Sequence, residues 1–223
     1  MATLKSVTVL APAKLNLALD VVGLLPNGYH NLDMTMQAIT LYERVVLRRS
    51  NTLSLSLPGS PVAANDSNTA IKAAIAFFRY TGLLAGVDIT IYKNVPVRAG
   101  MAGGSADAAC PDCWFTVVMP DYGVSTPEAF AAYDKVGSST HPDCEAQEKA
   151  VRAEDLAGVC AAAGNALEEC SGARDNEAIK AALRQHGAVT ALMTGSGAAV
   201  FGVFPTEEAA RGAAEALKAQ WPQ

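Results

Sequence analysis

Pro96-Val97-Arg98-Ala99-Gly100-Met101-Ala102-Gly103-Gly104-Ser105-Ala106-Asp107 decides what architecture to expect of this chain. The stretch follows Val87 to Tyr92, an apolar run with strand character, and its glycines lead into small residues able to open a helix. A strand, then glycines, then a helix start brings backbone N–H groups close to a phosphate. Ser105 adds a hydroxyl for a phosphate oxygen or for Mg2+. No Gly-Lys-Ser/Thr follows, so this is not a Walker A loop. On spacing alone, a phosphate site and a plain tight turn stand about level.

Upstream, the chain reads as β-rich. Ser6 to Leu10, Leu15 to Val21, Met34 to Leu41, Arg44 to Arg48 and Leu53 to Leu57 are strand candidates, most of them alternating apolar and polar. Lys14 and Asn16 fall on one side of such a strand. A strand lysine beside a phosphate stabilises charge on a transferred phosphoryl group; taken alone, a lysine facing solvent is the simpler reading. Pro26-Asn27-Gly28 marks a turn that would present Tyr29 and His30, a ring and an imidazole suited to a planar heterocycle, although such a pair after a turn is more often ordinary packing. Ile71, Ala74, Ile75 and Phe78 give Asn68 to Tyr80 one apolar helical face.

Downstream, residues 126–186 are alanine-rich with helical periods. Ala178 to His186 is a helix candidate capped by Gly187, and Glu207 to Gln220 is another. Val189 to Met193 and Ala199 to Phe204 read as strands around Thr194-Gly195-Ser196-Gly197, which without context is a hairpin turn.

Composition narrows the class. The 223 residues are 50% hydrophobic and 17% charged, with a net charge of −5. That excludes disorder and gives no global attraction to nucleic acid or acidic membrane. No apolar run approaches the roughly 18 residues of a span, and Met1 to Leu10 lacks the apolar core of a secretory signal. Five cysteines are too few for a disulfide scaffold. A soluble, cytoplasmic protein is expected.

Taken together and in order, these segments resemble the galactokinase–homoserine–mevalonate–phosphomevalonate (GHMP) kinases. Ala11-Pro-Ala-Lys-Leu-Asn-Leu17 looks like the N-terminal signature, Pro96 to Asp107 like the glycine-rich ATP loop, and Met193-Thr-Gly-Ser-Gly197 with Val200-Phe-Gly like the third motif. Asn27-Gly-Tyr-His30 resembles the branch that phosphorylates the 2-hydroxyl of a cytidyl-linked methylerythritol in non-mevalonate isoprenoid synthesis. Asp66-Ser-Asn-Thr-Ala-Ile-Lys72, Pro120 to Thr126 and Gly164-Asn-Ala-Leu-Glu168 extend the match over nearly the whole chain.

The resemblance implies an α+β, two-lobed fold. Residues 1–113 would be an N-terminal lobe resembling the second domain of ribosomal protein S5, and 114–223 a C-terminal α/β-sandwich lobe. Lys14 would be catalytic. Pro96, Gly100, Met101, Ala102, Gly103, Gly104 and Ser105 would bind ATP, with Asn68 and Lys93 near the nucleotide. Asn16, Tyr29, His30, Thr194, Gly195 and Ser196 would contact substrate, and Mg2+ would come with ATP, touching Ser105. The expected partner is a small-molecule substrate, with no nucleic acid and no membrane, and the chain a monomer or weak homodimer.

One departure matters. Where the family continues from the glycine loop into a long helix, a helical hairpin, a segment carrying the catalytic Asp, and two strands, this chain passes from Ala109 through Cys110-Pro111-Asp112-Cys113 directly to the strand at Trp114. Elements on the order of 50 residues are missing, and the Asp has no counterpart. The N-terminal lobe is therefore expected to be incomplete, and a non-catalytic remnant of the same fold is the competing reading. A single Cys-x-x-Cys without partner ligands is weak for zinc, and a redox role would need a helix N-terminus to acidify a thiol; a junction left by deletion is the better reading.

Overall fold

The computed structural model describes residues 5–101 and 110–222. The chain divides into two compact units, Met1–Ala13 with Thr40–Val95 and Lys14–Ile39 with Pro96–Gln223. This division does not fall at residue 113. It cuts instead through two long strands, β1 (Ser6–Leu24) and β2 (His30–Ser50), each of which contributes to both units. The four short strands expected over these residues are therefore two long ones. Pro12 does not interrupt β1, which lies between β2 and the short β6 (Gly164–Asn165) and has no β6 partner at Pro12, since that pairing is confined to Ala18 and Leu19. A proline without an N–H is tolerated where no ladder partner waits for it.

In the first unit, β4 (Gly86–Tyr92) runs antiparallel to β2 from Arg44 opposite Tyr92 to Ser50 opposite Gly86, and parallel to β3 (Leu53–Ser56). The crossover from β3 to β4 is α1 (Thr69–Thr81), which packs on β3. Asn68 caps α1 by accepting from the Ala70 N–H at 3.0 Å. Gly82, left-handed at φ 68°, ends it. Among the described residues of this unit, the buried apolar side chains are Ala13, Val46, Ile71, Ile89 and Val95.

The second unit holds an antiparallel three-stranded sheet in the order β5 (Trp114–Val118), β8 (Val200–Phe204), β7 (Thr190–Met193). The helices α2 (Thr126–Val136), α3 (Cys144–Arg152), α4 (Leu156–Ala161), α5 (Asn176–Gln185) and α6 (Glu207–Leu217) complete it. α5 and α6 pack on the sheet. Ile179 and Leu183, one turn apart on α5, enter a core with Leu19, Val118, Leu167, Met193, Val200, Phe204 and Leu217. This is the α+β class expected. Among the described residues, no helix is long and apolar enough to cross a membrane.

Candidate active site

The site is built on the part of β1 that is buried on both faces. Residues 13–19 are all buried, so Lys14 and Asn16 lie inside together with Leu15 and Leu17. The solvent-facing reading of Lys14 is thus corrected: the residue is 7% exposed. Its Nζ donates to Asn16 Oδ1 and, at 2.6 Å, to the Gly100 carbonyl. Its backbone N–H donates to the Met101 carbonyl at 3.0 Å. Burial pushes the ammonium pKa down to about 8. Among the described residues no carboxylate pairs with it; its acceptors are two neutral oxygens.

Gly100 brings the start of the glycine-rich stretch against the loop between β7 and β8. Gly100 has φ +71°, and a Cβ there would stand 2.1 Å from the Thr194 carbonyl oxygen. A Cβ at Gly195 would stand 2.8 Å from the Gly100 carbonyl oxygen. The two glycines permit one another's approach, which no side-chain-bearing residue would. Thr194 Oγ1 accepts the Asn16 N–H at 3.0 Å, and Ser196 Oγ lies 2.8 Å from Thr126 Oγ1. So Lys14, Asn16, Gly100, Met101, Thr194 and Gly195 are brought together, Ser196 meets Thr126, and the turn at 194–197 is a hairpin loop that lies against Gly100.

Sequence reasoning noticed Gly164 to Glu168 but gave it no task. Asn165 is fully buried, and its Nδ2 donates to the carbonyls of Met193 and Gly195, both at 2.8 Å. Its Oδ1 accepts the Leu167 N–H at 2.9 Å. Glu168 accepts the Met193 N–H at 2.5 Å and the ammonium of Lys180 at 2.7 Å. Together they fix the loop that carries Thr194. An Asn and a Glu spaced three apart in an apolar stretch were the available signal.

At the other end of the buried strand, Leu25 to Tyr29 turn the chain from β1 into β2. Gly28, at φ +82°, donates to the Leu25 carbonyl at 2.9 Å, and the Tyr29 N–H donates to Asn27 Oδ1 at 3.0 Å. Tyr29 is 73% exposed. His30 turns inward: its ring stacks on Phe130 with centroids 4.6 Å apart, meets Tyr133 edge-on, and places Nε2 2.7 Å from Asp134 Oδ1. Phe130, Tyr133 and Asp134 had no sequence signal beyond the periodicity of α2.

Asn68 and Lys93 belong to the first unit, where their side chains already serve. Asn68 caps α1, and Lys93 pairs with Glu43. Pro96 is half-buried in the second unit, ahead of Gly100. Ala102, Gly103, Gly104 and Ser105, with Asp107, lie outside the described residues. Among the described residues no group of three or more His, Cys, Asp or Glu could hold a metal ion.

The GHMP kinases N terminal domain family matches residues 68–110, and GHMP kinases C terminal matches residues 148–223. A 4-diphosphocytidyl-2-C-methyl-D-erythritol kinase of Pelotomaculum thermopropionicum is 32% identical over 262 residues, covering 92% of this chain and 91% of that protein. One of Moorella thermoacetica is 32% identical, covering 97% and 96%. A crystal structure of 4-(cytidine 5'-diphospho)-2C-methyl-D-erythritol kinase superposes with a TM-score of 0.74 at 24% identity over 96% of each chain. A homoserine kinase from Cytophaga hutchinsonii superposes with a TM-score of 0.67 at 16% identity. In the Pelotomaculum match, 92% of this chain is about 205 residues against 262 aligned, so about 57 positions of that relative have no counterpart here. That number is close to the length of the elements expected to be missing. On the identity to these relatives over almost their full length, the chain belongs to the 4-diphosphocytidyl-2-C-methyl-D-erythritol kinase family of the GHMP kinases.

Proposed function

We propose that this chain binds ATP and 4-diphosphocytidyl-2-C-methyl-D-erythritol and directs the γ-phosphoryl group to the substrate's 2-hydroxyl, with turnover curtailed by the lost carboxylate. The observation that carries the reading is the desolvated Lys14 ammonium, held on Asn16 and Gly100 beside Thr194. In a water-poor pocket a fixed cation stabilises charge on a transferring phosphoryl group far more than in water. Asn16 would orient the acceptor end, and Gly100 to Ser105 would wrap the phosphates. Tyr29 would stack on the cytosine, with His30 meeting its edge through Nδ1, since Nε2 is held by Asp134. Mg2+ would neutralise charge on the nucleotide phosphates, with Ser105 as the candidate protein contact.

The residues present serve binding better than proton transfer. No described carboxylate stands at Lys14 to receive the hydroxyl proton, which supports the reading as a nucleotide- and substrate-binding remnant of the fold. Calorimetry with CDP and with a non-hydrolysable ATP analogue tests the binding. Saturable binding of both is expected, and Lys14→Ala should weaken the ATP analogue selectively. Absence of binding by either ligand would overturn the proposal.

A further inference from the structure

The Cys-x-x-Cys at the junction is not used by the proposed kinase chemistry. Cys110 Sγ and Cys113 Sγ lie 3.8 Å apart, and both residues are half-buried. Each end of this four-residue segment is pinned. The Cys110 N–H donates to Gln37 Oε1 on β2 at 2.7 Å. Trp114, next to Cys113, opens β5 opposite Phe204 of β8. With only Pro111 and Asp112 between them, the sulfurs have to close by less than about 2 Å to reach bonding distance. We propose that Cys110 and Cys113 form an oxidisable dithiol that closes to an intrachain disulfide on reaction with a low-molecular-weight disulfide such as glutathione disulfide.

The two thiols are not equivalent. The Cys113 S–H donates to Cys110, which holds the Cys110 pKa below the ordinary thiol value, while the same bond and burial push Cys113 up. A neighbouring thiol donor thus does what a helix N-terminus does elsewhere. Burial pushes Cys144 and Cys160 up to about 11 and raises Cys170 as well, which leaves Cys110 as the attacking group. Its thiolate displaces one small thiolate from the disulfide and forms a mixed disulfide. Cys113 then loses its proton and attacks Cys110 Sγ, releasing the second small thiolate. Two protein thiols become one disulfide, one small disulfide becomes two thiols, and the two protons end on those thiols.

The test is oxidation of the reduced, folded full chain with glutathione disulfide, followed by alkylation and peptide mass mapping. The expected result is the loss of two hydrogen masses and a Cys110–Cys113 link that dithiothreitol reverses. Cys113→Ser should stop at a glutathione adduct on Cys110, and Cys160→Ser should close as the parent does. A link from either cysteine to Cys160, an adduct that never resolves in the parent chain, or both thiols still alkylated would each overturn the proposal. The mapping of the parent chain decides even if a variant does not fold, and it is independent of any kinase activity.

Discussion

The two units differ in how well they are filled. The second surrounds its antiparallel sheet with helices and buries Phe201, Phe204, Leu15, Leu17, Leu183 and Met193 almost completely. The first has a sheet of comparable extent, one described helix and few buried side chains, with Val7, Val9, Leu10, Phe77 and Leu84 exposed and Tyr80 93% exposed. The relatives carry about 57 positions that this chain lacks. The contrast teaches that a chain shorter than its relatives can keep one unit well packed while the other holds few buried side chains.

The largest test of that contrast is turnover. A general base contributes about 10²–10⁴-fold, and a displacement of about 1 Å in the phosphate loop can cost another 10²-fold. The chain should therefore phosphorylate the cytidyl substrate at least about 10⁴-fold more slowly than a full-length relative, in a side-by-side coupled assay. Turnover within about tenfold of the relative, abolished by Lys14→Ala, would break the comparison and assign the missing role to Asp107 or Asp112.

Next comes the clamp on the well-packed side. Asn165→Ala strands two buried carbonyls and should destabilise the protein by about 2–4 kcal/mol in urea unfolding. A change under about 0.5 kcal/mol would show that the loop holds itself. Hydrogen exchange sharpens the contrast from the other side. Amides of β4 should exchange at least about 100-fold faster than those of β8, because local opening needs less energy where fewer apolar contacts break. Equal protection would mean that the first unit is closed after all. The smallest effect is at the cytosine end. Tyr29→Ala should weaken CDP binding by about 1–3 kcal/mol, a base-stacking magnitude, and unchanged affinity would remove Tyr29 from the site.

The sequence carried the elements better than their extents. Leu53 to Leu57, Val87 to Tyr92 and Trp114 to Met119 were legible as strands because alternation or an apolar run is bounded by turn residues. The pattern splits β1 around Pro12 and β2 at Tyr42-Glu43; cross-strand pairing, which periodicity does not report, carries the strands through. Lys14 was legible as a candidate, but its burial was not, since both faces of β1 are covered only by elements distant in sequence. Gly100 and Gly195 looked like ordinary turn glycines. Their reciprocal approach joins positions 95 residues apart, and no local pattern encodes it. The clamp of Asn165 is likewise a long-range fact.

Lys14 is a buried cation with no carboxylate partner among the described residues, and its own titration tests this most directly. The native ammonium deprotonates near 8, against the ordinary 10.5. Between those values the unfolded chain binds more protons, so the burial penalty weakens and stability should rise with pH by up to about 3 kcal/mol. Lys14→Met should abolish that slope. The direct reading is the pKa of the Lys14 Nζ, followed by NMR on lysine-labelled protein and assigned with Lys14→Arg. A value of about 8 is expected; a value above 10.5 would place an anionic partner on the lysine and contradict the account.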